Sequence, residues 1–226
     1  MQSGYPGWVP EVQVSTDRGY GQLLAKRPFA LVNRSATSWL YYGPALGRRF
    51  LQVSYDTRLP FLARARKAIE VALPGGGQAW VSASEASVFA SESAIPKPTG
   101  AKLASDAKLF LNRPYLWGGT SGYAFDCSGY THTLYHANGI VIGRDADAQA
   151  DFTGHGTRVR RSDLRPGDIL FYSTSPDPST IYHDALYVGD GKMAEAYDAA
   201  TPIRITAVRF GNNYWGAERF PGVRSS

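Results

Sequence analysis

Arg113-Pro114-Tyr115-Leu116-Trp117-Gly118-Gly119-Thr120-Ser121-Gly122-Tyr123-Ala124-Phe125-Asp126-Cys127-Ser128-Gly129-Tyr130 is the stretch that decides how this chain is read. It holds the single cysteine among 226 residues, a thiol with no partner for an internal disulfide. Glycines and aromatics lead up to Asp126-Cys127-Ser128. Tyr130, Leu134 and Ala137 then recur at steps of four and three until Asn138-Gly139 supplies a stop, so the spacing predicts a helix with Cys127 in its first turn. Unpaired N–H groups and the positive end of the helix dipole favour a thiolate there. The thiolate is the nucleophilic form of a group that is otherwise only a few per cent ionised at neutral pH. Taken alone, a free cysteine reads first as a small buried hydrophobe, which is what most free cysteines are.

Working outward, 43% apolar and 13% aromatic residues argue against disorder. The length suits one large domain or two small ones. No apolar run approaches the roughly 18 residues of a membrane span. The first eight residues lack a basic segment followed by an apolar one, so no export signal is visible. The compartment stays open between secreted or wall-associated and cytoplasmic. Net charge is +5, dispersed except in Arg64-Ala65-Arg66-Lys67 and Arg158-Val159-Arg160-Arg161, which read as solvated faces. No nucleic-acid motif is present. The basic balance supports at most steering toward an anionic polymer such as bacterial cell wall.

Upstream, residues 1–93 read as all-β. Phe29-Ala30-Leu31-Val32, Trp39-Leu40-Tyr41-Tyr42 and Phe50-Leu51-Gln52-Val53 are short strand runs separated by turn residues. Ile69, Val71 and Leu73 alternate up to Pro74-Gly75-Gly76-Gly77, which turns the chain into Gln78-Ala79-Trp80-Val81 as a hairpin. The triple glycine is a turn and not a phosphate loop, because no Gly-Lys-Ser/Thr follows it. Gly7-Trp8-Val9-Pro10-Glu11 with Val12 and Val14 echoes Ala79-Trp80-Val81-Ser82-Ala83 with Val88, which suggests that residues 1–16 are the remnant of a first small barrel. The chain then begins inside a domain. The Gly-Trp-Val strand resembles the last strand of bacterial SH3-like modules, and Tyr55 before Asp56-Thr57-Arg58-Leu59-Pro60 resembles the middle of such a barrel. The expected organisation is this remnant, an SH3-like barrel over 17–92, a linker over 93–100 rich in Pro and Gly, and a second domain over 101–226.

In that second domain Leu103, Ala107 and Phe110 or Leu111 predict a short amphipathic helix ending before Pro114. Arg144-Asp145-Ala146-Asp147-Ala148-Gln149 suggests another with Asp145 near its start. Leu164-Arg165-Pro166-Gly167-Asp168 turns into the apolar strand Ile169-Leu170-Phe171-Tyr172. Residues 181–188 and 192–196 form a hairpin around Gly189-Asp190-Gly191. A three-residue loop pairs Val188 with Lys192 and sets His183 and Glu195 on one face as diagonal neighbours. A two-residue loop at Asp190-Gly191 sets them on opposite faces.

A thiolate at a helix start, an imidazole on a strand and a carboxylate beyond it make the nucleophile, base and orienter of acyl-transfer enzymes. The candidates are Cys127, His183 and Glu195. Pro-Tyr-x-Trp-Gly-Gly before Asp-Cys-Ser-Gly, at 114–119 and 126–129, resembles the NlpC/p60 family of papain-like cysteine peptidases. So do Leu-x-Pro-Gly-Asp at 164–168 and His followed by Tyr-x-Gly-x-Gly-Lys at 183–192. The resemblance implies an α+β fold, with a papain-like catalytic domain preceded by an all-β SH3-like barrel. It implies cleavage of the amide between γ-D-glutamate and a diamino acid in cell-wall stem peptides or muropeptides, with no cofactor and a preference for a free N-terminal L-Ala. Asp126 and Ser128 would then line the subsite for that amine, Tyr115 would sit over the active site, and Tyr55 would add a hydroxyl from the barrel. The oxyanion would be met by the Cys127 backbone N–H and a second polar group.

The chain departs from the pattern in three places. Many relatives carry His where Glu195 stands, although a carboxylate also accepts an imidazole N–H. Asp184 replaces a small or apolar residue and, in a shifted register, competes as the partner of His183. Ala146 lacks a hydroxyl found in some relatives. His132 and His136 have metal-ligand spacing but no further ligand, so no metal site is assigned, and His155 reads as a loop residue. The rival reading is a wall-binding or effector protein on the same scaffold without peptidase activity, or a thiol acyltransferase or deamidase.

Overall fold

A computed structural model of the chain describes residues 9–11, 14–150, 156–211 and 213–224. It divides into two compact units, one running to Ile95 and one from Pro96.

The first unit is rich in β-structure: β1 (Phe29–Val32), β2 (Thr37–Tyr41), β3 (Arg49–Ser54), β4 (Arg58–Arg64), β5 (Ala68–Ala72), β6 (Gln78–Ser82) and β7 (Ala86–Phe89). They form one sheet in the order β3-β2-β6-β5-β4-β1-β7. The expected hairpin is present, with Val71 opposite Ala79 and Ala72 opposite Gln78. Gly75, Gly76 and Gly77 all take positive φ, the conformation that the turn demands and glycine adopts without steric cost. Leu40, Ile69, Val71 and Val81 are fully buried at its centre. The all-β reading needs one correction. Arg18–Lys26 forms a helix, α1, whose N-cap Asp17 accepts the Tyr20 N–H at 3.1 Å. Gly19 and Gly21, poor helix formers, hide this helix in the sequence. Of the proposed first repeat, Gly7, Trp8 and Val12 lie outside the described residues.

The second unit begins with α2 (Gly100–Ala107), capped by Thr99, whose hydroxyl accepts the Lys102 N–H. The small hairpin β8 (Thr120–Ser121) and β9 (Ala124–Phe125) follows, then α3 (Cys127–Ala137) and α4 (Ala146–Gln149). Next come β10 (Thr157–Arg158), β11 (Ile169–Ser173), β12 (Ile181–Gly189), β13 (Lys192–Glu195), β14 (Arg204–Ala207) and β15 (Tyr214–Arg219). These six strands make an antiparallel sheet in the order β10-β15-β11-β12-β13-β14. Helices α2, α3 and α4 all pack against β12. From Ser128 onward every residue of α3 is buried, so α3 is a central helix rather than an amphipathic surface one. The rings of Phe110, Phe125 and Tyr130 meet edge to face or tilted beside it, and the Tyr130 hydroxyl donates to the Ala107 carbonyl at 2.7 Å.

Two glycine-bearing motifs are explained by close approach. A Cβ on Gly129 would lie 2.0 Å from the Gly119 carbonyl oxygen, so the glycine pair lets the loop cross the start of α3. A Cβ on Gly100 would lie 1.7 Å from the Pro166 carbonyl oxygen, which seats α2 on the turn into β11. That turn is held by buried Asp168, which accepts the Arg165 N–H and two N–H groups of Arg219, each at 2.8 Å.

Candidate active site

Cys127 opens α3, half-buried, and Asp126 is the N-cap. The Asp126 carboxylate accepts the Gly129 N–H at 2.6 Å and the Gly118 N–H at 2.8 Å. Arg144 grips both of its oxygens, at 3.1 and 2.9 Å, and also donates to the Ser128 hydroxyl at 3.1 Å. Asp126 and Ser128 are therefore buried and already partnered inside the protein. Gln149, fully buried on α4, donates to the Ser128 and Gly143 carbonyls, both at 3.1 Å. It ties the loop carrying Arg144 to α3.

His183 stands on β12 opposite Tyr172 and is 2% exposed. Its Nε2 lies 3.1 Å from Glu195 Oε2. The hairpin reconciles both turn readings. Gly189 pairs with Lys192, so the loop is the two-residue one, but a bulge before Gly189 shifts the register to Tyr187 opposite Met193 and Leu186 opposite Ala194. The extra residue restores the pairing that a three-residue loop would have set, and His183 and Glu195 meet as diagonal neighbours.

Glu195 is fully buried and, besides the His183 contact, accepts from three side chains: Arg209 at 3.0 and 2.8 Å, Arg204 at 3.3 Å and Thr206 at 3.2 Å. Burial alone would raise its pKa, but the bonds from His183 and Arg209 overcome this and hold the carboxyl down at about 2. Glu195 is therefore an acceptor only. Nε2 must carry the hydrogen, which leaves Nδ1 as the basic nitrogen of neutral His183.

Asp184 does not compete for His183. It points to α3, where its Oδ2 accepts the Thr131 hydroxyl at 2.5 Å, while its Oδ1 is buried without a hydrogen bond. Burial pushes its carboxyl up to about 6, against lowering by His183, Thr131 and the Cys127 thiol. The surroundings of the thiol differ from the sequence expectation. Burial, then the Asp184 carboxylate, push the Cys127 pKa up, with Asp126 adding to this, while the backbone N–H groups of Asp184 and Ser128 pull it down. The N–H groups at the helix start favour the anion as anticipated, but desolvation and two carboxylates outweigh them.

Tyr115 is half-buried, and burial followed by the charges of Cys127 and Asp126 pushes its phenol up to about 12. Tyr55 belongs to the other unit, at the end of β3 and 2% exposed. The His132 and His136 rings stack at 6.0 Å, and His132 Nδ1 is taken up by the Ile142 carbonyl at 3.0 Å. Among the described residues no three metal-binding side chains gather. His155 lies outside the described residues. Sequence reasoning missed the roles of Arg144, Thr131, Asp184 and Arg209 at the site. The Arg144 run was visible as a motif, but nothing in Val208-Arg209-Phe210 marks Arg209.

Residues 112–224 match the model of the NlpC/P60 family, and residues 34–89 match that of the YKFC SH3b2 domain. The chain is 36% identical to a gamma-D-glutamyl-L-lysine dipeptidyl-peptidase of Bacillus cereus, covering 97% of this chain and 65% of that protein. It is 32% identical to the protein of the same name from Bacillus subtilis, covering 89% of this chain and 63% of the relative. The chain thus spans a little under two thirds of the length of these relatives. The crystal structure of an NlpC/P60 family protein from Bacillus cereus superposes with a TM-score of 0.86 at 37% identity, covering 96% of this chain and 70% of the other.

Proposed function

The chain belongs to the NlpC/P60 family, and from that membership we propose that it is a cysteine peptidase of bacterial cell-wall peptides, cutting the amide between γ-D-glutamate and a diamino acid. The observation that carries this reading is the buried His183 Nε2 to Glu195 Oε2 pair on the hairpin beside the helix that Cys127 opens. The names of the two Bacillus relatives support the substrate class.

In the proposed mechanism His183 takes the thiol proton at Nδ1, and Glu195 holds the ring and stabilises the imidazolium. The Cys127 sulfur bonds to the γ-glutamyl carbonyl carbon. The Cys127 backbone N–H and a second polar group stabilise the oxyanion. The C–N bond then breaks as His183 gives its proton to the leaving amine. Water, deprotonated by His183, cleaves the thioester and restores the thiol. Asp126 is proposed to attract the free amine of an N-terminal L-Ala, sharing its carboxylate between that ammonium and Arg144. Ser128 and Tyr115 complete that subsite.

Incubation with L-Ala-γ-D-Glu-L-Lys and mass spectrometry test this. Release of lysine and the dipeptide L-Ala-γ-D-Glu is expected from the wild type, none from Cys127→Ala, and much slower release from the N-acetylated peptide. Absence of cleavage by the wild type overturns the reading, and equal cleavage of the acetylated peptide overturns the amine preference.

A further inference from the structure

Glu195 is surrounded by more positive charge than orienting one imidazole requires. The Arg209 guanidinium forks onto both carboxylate oxygens, at 3.0 Å on Oε1 and 2.8 Å on Oε2, the oxygen that also faces His183. Arg204 and Thr206 reach Oε1 only. Arg209 is itself held by two rings, lying 4.9 Å over Tyr172 and 4.8 Å over Tyr197. The same tyrosines flank His183, with ring centroids 5.6 and 5.1 Å away. Imidazole and guanidinium therefore share one carboxylate and one aromatic pair.

A lone buried carboxylate beside an imidazole strongly favours the imidazolium and would hold the ring protonated well above neutral pH. A group that must both take and give a proton works best with its pKa near the working pH. We propose that Arg209 is a positioning residue that cancels the charge of Glu195 as felt by His183, leaving an oriented but nearly neutral hydrogen-bond acceptor. The fork suits this role because it fixes the carboxylate plane while neutralising it. Arg204, also over Tyr197 at 5.6 Å, supports the same carboxylate from β14 but does not touch the oxygen facing the ring.

This inference rests on the Cys127, His183 and Glu195 reading, and its test is separable from it. The His183 ring is titrated by NMR in a Cys127→Ala background, which needs no peptide cleavage, and compared with Arg209→Gln and Arg209→Lys added to it. The Arg209 side chain is 39% exposed, so both substitutions sit on a partly open flank. The expected result is a His183 midpoint raised by about one pH unit or more in Arg209→Gln, with a clearly smaller rise in the charge-retaining Arg209→Lys. With Cys127 present, the acid limb of kcat/KM, which reports loss of the proton from His183 before it can act as base, moves up in parallel. A residue of merely structural importance would lower kcat/KM at every pH without moving either midpoint. An unmoved or lowered His183 midpoint in Arg209→Gln overturns the inference, even if the peptide is cleaved. A raised midpoint supports it, even if no variant cleaves peptide and the peptidase reading is lost.

Discussion

His183 Nε2 lies 3.1 Å from Glu195 Oε2 although a tight two-residue turn, taken alone, would have sent the two side chains to opposite faces of the hairpin. The bulge before Gly189 brings them together, and the site depends on it. Deleting Val188 would leave the turn intact and remove the extra residue. The expected outcome is a folded protein with peptidase activity lost, measured as kcat/KM on the tripeptide alongside circular dichroism. Retained activity would show that the pairing does not depend on the bulge.

Replacing Glu195 by Ala removes the acceptor that fixes the Nε2–H form of His183. Its loss is expected to lower kcat/KM by about 10²-fold or more, chiefly through kcat. Kinetics on Glu195→Ala at neutral pH check this, and a change confined to KM would contradict it.

Asp184 yields a prediction with a definite sign. Its carboxyl is raised to about 6 by burial, so between about pH 4 and pH 6 the folded state binds a proton that the unfolded chain releases. Stability from this group is therefore present at low pH and is lost as pH rises through that window. The cost above it is about 3 kcal/mol. Asp184→Asn should be more stable than wild type above about pH 6, by up to that amount, and the gain should vanish below about pH 4. Urea unfolding at the two pH values measures it. The same variant should alkylate at Cys127 with a lower pH midpoint, because a carboxylate that disfavours the thiolate is gone.

Asp126 has a structural duty whatever it does for substrate. Asp126→Ala removes the N-cap of α3 and strands Arg144, for an expected loss of about 2 kcal/mol or more. Asp126→Asn keeps a capping oxygen and should lose less. Thermal unfolding of both variants orders them, and equal losses would mean that the cap contributes nothing.

How much of this was legible in the sequence follows from which signals are local. Cys127 at a helix start could be read because the period of Tyr130, Leu134 and Ala137 and the Asn138-Gly139 stop lie in one short run of chain, whereas the Asp126 cap showed only in the fold. The β-rich first unit was legible from its turns, whereas α1 was masked by two glycines in nine residues. The His183 and Glu195 hairpin was readable only as two alternatives, since a bulge leaves no mark in Tyr187-Val188-Gly189. The partners that set the electrostatics were not legible, because each contact joins separate elements. Thr131 meets Asp184 between α3 and β12, Arg144 meets Asp126 between a loop and a cap, and Arg209 meets Glu195 after β14. Burial, which decides the direction of the Cys127 shift, is likewise a property of the folded chain.

The claim on which the account rests is that the Cys127 sulfur forms a bond to the substrate carbonyl. Acid quench of the wild type during turnover of L-Ala-γ-D-Glu-L-Lys, followed by mass spectrometry of the peptide containing Cys127, tests it directly. The account predicts an L-Ala-γ-D-Glu acyl group on that peptide, absent from Cys127→Ala, which is inactive. Undiminished cleavage by Cys127→Ala would contradict it.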